Sequence, residues 1–277
     1  MMEKVRVIFE HDYGEVDGVY LNAGSLSPLV IIVNGHNGFY NYGMFPYLQQ
    51  QLFVNNISSY SFNFSHGGVK GDADIFEDLE KYERNCMRLE TEDLVCVLQN
   101  SLERFQPHSK VFLLAHSLGG VPALFGAKKA IEHNIDLRGI ILVSTVSTLN
   151  FWPAEVLREW ASAGIYYKFN NRTKQNLPQG FEFLQEILKC DKNWNVREAI
   201  HLLTCPILVI HGKNDEAVGA EHAEYLFDWM NNNDKSQLQI IEGASHTYNT
   251  RHPFDKTSPE LEELISTCVN WIYANAY

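Results

Sequence analysis

The fold is decided by residues 110–120, which read KVFLLAHSLGG. The apolar run at 111–115 is typical of a strand that is buried on both faces of a sheet, and the residues after it have a helical pattern. Ser117 stands between the two, with a small residue two positions before it, Ala115, and another two positions after it, Gly119. This pattern predicts a sharp strand-to-helix turn that exposes the serine hydroxyl as a nucleophile.

Strands and helices alternate along most of the chain on either side of this turn. Strands are predicted over 5–9, 18–21, 29–33, 58–64, 110–115, 139–143, 206–210 and 237–241, and helices over 44–54, 83–105, 118–132 and 219–230, with a last helix from Pro259. The alternation predicts an α/β fold with a mostly parallel central sheet and helices on both faces. It stops at 147–204, which we interpret as a small, mainly helical cap of short helices and loops. The predicted core is then formed by residues 1–146 and 205–277.

Charge and hydropathy limit the classes of function. The 277 residues carry a net charge of −12, so the surface repels nucleic acids and anionic lipids. The longest apolar run, Leu29–Val33, is far shorter than the roughly 20 residues that span a bilayer. We therefore expect neither a nucleic-acid partner nor a membrane partner. The first residues mix charges without an apolar signal core, which favours a cytoplasmic protein.

Cysteines and histidines show no pattern typical of a metal site. The five cysteines are scattered and contain no C-x-x-C pair, which favours reduced and mostly buried thiols. The eleven histidines show neither H-x-x-x-H nor H-E-x-x-H spacing. We therefore expect no bound metal ion.

A serine hydroxyl needs a neighbouring base to take its proton, and His246 is the best candidate. It lies in the loop after the last predicted strand, within EGASH at 242–246. His252 lies six residues further along the chain and is the main alternative. His222 falls within a predicted helix and is less well placed.

The base in turn needs a carboxylate that fixes its tautomer and stabilises the imidazolium ion. Asp215 follows the predicted strand at 206–210, whereas the segment after the preceding strand, 144–148, contains no carboxylate. Glu216 is adjacent to Asp215, but its side chain is expected to point elsewhere. Chemistry on open α/β sheets lies beyond the carboxyl ends of the strands, so the candidate nucleophile, acid and base are predicted to meet at one edge.

Attack on a carbonyl group also requires N–H donors for the negative charge that develops on its oxygen. One predicted donor is the main-chain N–H of Leu118. The other comes from the loop after strand 29–33, which reads NGHNG at 34–38. The main-chain N–H of His36 is the first choice there, and Asn37 is the alternative.

These motifs together resemble the α/β-hydrolase superfamily. The matching stretches are NGH at 34–36, NFSHG at 63–67, AHSLGG at 115–120, HGKND at 211–215 and GASH at 243–246. The chain looks similar to the small bacterial esterases with an inserted cap, such as cinnamoyl and feruloyl esterases, and to serine aminopeptidase-like hydrolases. It departs from the usual pattern where Asn34 replaces the histidine of a His-Gly pair and Ala115 replaces a glycine.

The resemblance implies a catalytic triad of Ser117, Asp215 and His246, in the chain order expected of α/β hydrolases, and no cofactor. The predicted activity is hydrolysis of a small-molecule carboxylic ester through an acyl-enzyme. Amide, aminopeptidase-type and thioester hydrolysis use the same three groups and are alternatives, as is a non-catalytic ligand-binding protein. Aromatic residues in the predicted cap either line a substrate pocket or form the core of the cap; they are Phe151, Trp152, Trp160, Tyr166, Tyr167, Phe169, Phe181, Phe183 and Trp194.

Overall fold

The computed structural model describes residues 3–105, 108, 110–231 and 234–277 of the chain. Its main feature is an eight-stranded sheet. The strands of the chain are β1 (Lys4–His11), β2 (Gly14–Leu21), β3 (Leu29–Val33), β4 (Ser58–Asn63), β5 (Val111–His116), β6 (Leu137–Val143), β7 (Ile165–Asn170), β8 (Gln175–Gly180), β9 (Ile207–Gly212) and β10 (Gln237–Ile241). The large sheet has the order β1-β2-β4-β3-β5-β6-β9-β10, and β7 and β8 form a separate antiparallel pair. Among the described strands of the large sheet, β2 pairs antiparallel with β1 and with β4, and the other pairs are parallel.

The helices of the described residues are α1 (Phe45–Val54), α2 (Leu79–Glu83), α3 (Met87–Arg104), α4 (Gly120–Glu132), α5 (Ala154–Ala163), α6 (Phe181–Leu188), α7 (Cys190–Asn193), α8 (Val196–Leu202), α9 (Glu221–Asp228) and α10 (Pro259–Ala276). Helices cover both faces of the large sheet, with α3 and α4 on one face and α1 and α10 on the other. Among the described residues, no helix is both long enough and apolar enough to cross a bilayer.

Strand β3 shows how the sheet divides the interior into two cores. Leu29, Ile31 and Val33 belong to the core that includes residues of α3 and α4, whereas Val30 and Ile32 belong to the core that includes residues of α1 and α10. All five side chains are fully buried. Side chains of a strand alternate between its two faces, so an unbroken apolar run requires apolar cover on both. The predicted α/β class with a mostly parallel, doubly covered sheet is thereby confirmed.

The predicted helix at 83–105 begins too early, because α2 ends at Glu83 and α3 begins only at Met87. Asp78 caps α2 by accepting a hydrogen bond from the main-chain N–H of Lys81 at 3.1 Å. Cys86 has an extended backbone, with φ −157° and ψ 165°, and α3 begins after it. The first N–H groups of a helix have no acceptor within the helix. The side-chain carboxyl group of Glu186 accepts from two of them, from Met87 at 2.6 Å and from Arg88 at 3.1 Å, and thereby stabilises the start of α3.

Residues 147–204 lie between β6 and β9 in the chain and contain α5 to α8 together with the β7–β8 hairpin. The stretch is mainly helical, as predicted, but this hairpin was not predicted from the sequence. β7 reads IYYKFN with three exposed residues, and β8 reads QNLPQG, so neither strand shows an unbroken apolar run or a strict alternation of apolar and polar residues.

Some aromatic residues of this stretch pack together and continue the core that includes residues of α3 and α4. Trp160 is fully buried, and the rings of Trp152, Tyr166 and Phe183 lie 5.6–6.0 Å from it, centroid to centroid. Trp194 packs instead against Phe125 of α4, at 4.8 Å. The remaining members of the sequence set are more than two fifths exposed: Phe151, Tyr167, Phe169 and Phe181.

Candidate active site

Ser117 lies at the turn between β5 and α4. Its φ of +56° is in the left-handed region, which a residue with a Cβ adopts at a cost of about 1–3 kcal/mol. Residues 117–119 form a short 3₁₀ turn that leads directly into α4, and the Ser117 side chain is only partly buried. The strained backbone, held between a buried strand and a buried helix, presents the hydroxyl group at the carboxyl end of β5.

Two glycines allow this turn to lie close to its neighbours. A Cβ added at Gly119 would lie 2.3 Å from the carbonyl oxygen of Asn34, and one at Gly120 would lie 2.1 Å from Cγ2 of Thr145. Real Cβ atoms do not approach other atoms this closely, so each position requires a residue without a side chain. The small residue predicted two positions after the serine therefore has a steric reason.

The structure brings the three sequence-predicted side chains together. His246 lies in the loop after β10, and its Nε2 is 3.1 Å from Oγ of Ser117. The Nδ1 of the same ring is 2.8 Å from Oδ2 of Asp215. Two hydrogen bonds thus connect the hydroxyl, the imidazole and the carboxylate, although the residues lie far apart in the chain.

Asp215 is held in place by its own loop after β9. Its Oδ1 accepts hydrogen bonds from the main-chain N–H groups of Ala217, at 2.9 Å, and Val218, at 2.8 Å. Burial opposes ionisation of this carboxyl, but hydrogen bonds from His211 and His246 more than offset burial and hold its pKa below the ordinary value. The carboxylate therefore stays charged and oriented toward the imidazole.

The alternative candidates for the base, His252 and His222, contact residues other than Ser117. Nδ1 of His252 is 3.1 Å from the main-chain N of Gly43, and its ring stacks on Tyr42 with centroids 4.7 Å apart. His222 contacts Ser147, with Nδ1 2.8 Å from Oγ. Glu216 is exposed.

The loop at 34–38 passes directly against the serine. Its strand, β3, is the neighbour of β5, with Val33 opposite Ala115. A Cβ added at Gly35 would lie 2.9 Å from Cβ of Ser117, which shows how closely the two loops approach. Leu118 is buried at the start of the turn, where main-chain N–H groups have no acceptor within the helix. Both predicted donor residues, His36 and Leu118, thus lie in segments that border the serine.

Comparison with known proteins identifies the family. Residues 30–260 match the model of the alpha/beta hydrolase family. The chain belongs to this family. Monoglyceride lipase of Rattus norvegicus is similar to this α/β hydrolase, with 23% identity over 275 residues, covering 90% of this chain and 86% of the lipase.

Two solved structures share the fold of this α/β hydrolase. Est1E from Butyrivibrio proteoclasticus with bound ferulic acid superposes with a TM-score of 0.71 at 17% identity, covering 97% of this chain and 98% of that one. A monoacylglycerol lipase of Paleococcus ferrophilus gives a TM-score of 0.66 at 14% identity, covering 99% and 100%.

Sequence reasoning missed two buried histidines that support the site of this α/β hydrolase. Nε2 of His116 lies 3.0 Å from the carbonyl oxygen of His246, and Nε2 of His211 lies 2.9 Å from that of Val218 and 3.4 Å from Oδ2 of Asp215. Both occur at the ends of predicted strands, next to or near a predicted site residue. A polar side chain at the end of a buried strand is the signal that could have found them, because buried polar groups need partners.

Proposed function

We propose that this α/β hydrolase cleaves small-molecule carboxylic esters through a covalent acyl-enzyme on Ser117. The observation that carries the proposal is the pair of hydrogen bonds from Ser117 through His246 to Asp215, at 3.1 and 2.8 Å. A base within hydrogen-bonding reach of a hydroxyl, itself oriented by a carboxylate, is the arrangement that activates serine as a nucleophile.

The mechanism follows from these groups. Oγ of Ser117 attacks the ester carbonyl carbon while Nε2 of His246 takes its proton, and the main-chain N–H groups of His36 and Leu118 stabilise the oxyanion. Asp215 stabilises the imidazolium ion. The C–O bond to the alcohol then breaks, His246 gives its proton to the departing alcohol, and the acyl group remains on Ser117. Water next loses a proton to His246 and attacks the acyl carbon. The bond between that carbon and Oγ of Ser117 breaks, His246 returns its proton to Oγ, and the acid is released.

Ester substrates are favoured by the relatives of the chain. One is named a monoglyceride lipase, another is a monoacylglycerol lipase, and Est1E is described with ferulic acid bound. Esters of aliphatic and of aromatic acids are thus the two substrate groups to test first. Amides and thioesters belong in the same comparison, because the three side chains can act on all of them.

Residues 147–204 are proposed to act as a cap that borders the substrate site. The support is contact with the loop at 34–38: the imidazole of His36 lies 6.3 Å from the ring of Trp152 and 5.6 Å from that of Phe183, centroid to centroid. The cap would therefore shape the space beside the ester carbonyl and select among acyl or alcohol groups.

A covalent trap tests the nucleophile. Purified protein is treated with a fluorophosphonate and the labelled peptide is found by mass spectrometry; label at Ser117 supports the proposal. Ser147→Ala is the matched control, because Ser147 also lies 2.8 Å from a histidine nitrogen and should be dispensable. Label on another residue would overturn the assignment of the nucleophile.

A substrate panel tests the reaction class. It contains p-nitrophenyl acetate and butyrate, a monoacylglycerol, an aromatic-acid ester, an aminoacyl amide and a thioester, each measured with wild type and Ser117→Ala. Faster turnover of esters that Ser117→Ala abolishes is the expected result. Binding of a small molecule without hydrolysis of any compound would favour the non-catalytic alternative.

A further inference from the structure

The oxyanion donors can stabilise charge only if the loop at 34–38 is held still, because preorganised N–H groups stabilise the transition state far better than mobile ones. The sheet supplies one anchor, in which Nδ2 of Asn34 donates to the carbonyl oxygen of Phe62 at 2.7 Å. A second contact comes from α2, where the hydroxyl of Tyr82 donates to Oδ1 of Asn37. Asn37 has a φ of +62°, so its backbone too is in the left-handed region.

The third contact comes from residues 147–204. Gln179, on β8, donates from its amide to Nε2 of the His36 imidazole. Since this nitrogen accepts, the proton of the neutral ring lies on Nδ1. Burial lowers the pKa of His36 to about 3, with a smaller effect from Lys168, so the ring stays neutral and the contact persists at ordinary pH.

Aromatic rings pack against the imidazole of His36, although the residue as a whole is partly exposed, so a displacement of the ring also displaces its main chain. Besides Trp152 and Phe183, the ring contacts Tyr82, with centroids 6.4 Å apart. Gln179 is 2% exposed and Tyr82 is 4% exposed. Both side chains therefore hold fixed positions against the loop.

Packing alone does not explain a glutamine at position 179. Its Oε1 is buried and has no hydrogen-bond partner within the part of the chain that the structure describes. A buried polar atom without a partner lowers stability, and an apolar side chain of similar size would avoid this loss. The hydrogen bond to His36 is the contact that such an apolar side chain could not make.

We propose that Gln179 and Tyr82 are positioning residues that together fix the main-chain N–H of His36 toward the reacting carbonyl oxygen. This inference rests on the proposed function, and it extends the catalytic machinery into the 147–204 stretch. When residues 147–204 are in the position seen here, Gln179 contacts His36 and holds the proposed oxyanion donor in place. A displacement of these residues would break that contact and weaken the oxyanion hole.

Steady-state kinetics with p-nitrophenyl butyrate test the inference. Gln179→Met keeps the volume and removes the amide, and Tyr82→Phe keeps the ring and removes the hydroxyl. Because removal of one oxyanion donor typically costs about 10²–10³ in rate, we expect a displaced donor to lower kcat roughly 10-fold in each variant, with KM changed less than about twofold. Tyr82→Phe is the smaller change and remains informative if Gln179→Met does not fold.

Gln175→Met is the matched control. Gln175 lies on the same strand and makes the same kind of contact away from His36, accepting from the main-chain N of Phe76 at 2.9 Å and donating to its carbonyl oxygen at 2.8 Å. The kcat of Gln175→Met should stay within about twofold of wild type. An equal loss in this control would overturn the inference, because it would show a general effect of cap docking.

Fluorophosphonate labelling of the same proteins separates the two proposals. Wild type labelled at Ser117, with Gln179→Met and Tyr82→Phe at unchanged kcat, would overturn this inference alone. Wild type without label at Ser117 would overturn the proposed function and this inference with it.

Discussion

Nε2 of His116 lies 3.0 Å from the main-chain carbonyl oxygen of His246. Burial lowers the pKa of His116 to about 3, so the ring is neutral, and its Nε2–H donates to that oxygen. Because His116 directly precedes Ser117, this hydrogen bond connects the turn of Ser117 to the loop of His246. The side chains of Ser117 and His246 are therefore held at a fixed separation by their main chains.

Loss of this connection should slow turnover. In His116→Phe the carbonyl oxygen of His246 loses its donor, and the imidazole gains freedom relative to Ser117. We expect kcat to fall roughly 10-fold while KM changes little, because a small misplacement of reacting groups acts on the transition state. Steady-state kinetics with a p-nitrophenyl ester and a thermal melt check this. A folded variant with wild-type kcat would contradict the role.

Asp215→Asn should retain the fold and lose most activity. The amide can hydrogen-bond to Nδ1 of His246 only with the wrong tautomer, and it does not stabilise the imidazolium ion; in serine proteases the equivalent change lowers kcat about 10⁴-fold. The measurement is kcat on the best ester of the panel. Glu216→Gln, an exposed neighbour, is the control and should remain active. Equal activity of the two variants would remove Asp215 from the mechanism.

Gly119→Ala should destabilise the protein and disturb the loop at 34–38. The added Cβ would lie 2.3 Å from the carbonyl oxygen of Asn34, and main chain cannot move aside as a flexible side chain can. We expect a loss of about 1–3 kcal/mol in the free energy of unfolding, measured in urea, and reduced esterase activity. Ala115→Gly removes a methyl group two positions before the serine and should cost only about 1 kcal/mol. The reverse order of effects would contradict the steric explanation.

Glu90 should make the protein less stable as the pH rises. Burial raises the pKa of this carboxyl to about 8, even though Asn85 donates to it at 2.7 Å. The unfolded chain ionises near the ordinary value of about 4.3, so between that pH and about 8 the unfolded state binds fewer protons than the folded state. The free energy of unfolding therefore falls across this interval, since each pKa unit corresponds to about 1.4 kcal/mol.

Glu90→Gln removes this titration and should flatten the dependence. We expect the variant to gain stability relative to wild type at pH 8 and to gain none at pH 4, where the wild-type carboxyl is neutral in both states. Urea unfolding at the two pH values measures the difference. Glu103→Gln, on the exposed side of the same helix, is the control. A variant whose advantage is equal at both pH values would contradict the assignment to this carboxyl.

The sequence predicted the structure well where a local pattern of residues is compatible with only one local structure. The run at 29–33 became a strand with those bounds, because five consecutive apolar residues need cover on both faces of a sheet. Ser117 was found from the small residues around it, and Asp215 and His246 from their positions after strands. The structure brings these three side chains within hydrogen-bonding distance, while their catalytic roles stay predictions.

The sequence was less informative where distant segments decide the outcome. Helix α3 begins at Met87 because Glu186, far along the chain, accepts from the N–H of Met87 at 2.6 Å and from that of Arg88 at 3.1 Å. The strands of the β7–β8 hairpin, IYYKFN and QNLPQG, show neither an unbroken apolar run nor a strict alternation, so no periodic pattern indicated them. The contact of Gln179 with His36 joins residues whose relation only the folded chain shows.

The carboxylate of Glu186 also bears on attempts to shorten this protein. A chain joined directly from 146 to 205 would remove an acceptor on which the start of a helix in the remaining part depends. Excision would thus remove the acceptor of the N–H groups of Met87 and Arg88 and reduce the stability of the trimmed product. A different lid grafted onto the same sheet should accordingly be more stable if it brings a hydrogen-bond acceptor to that helix start.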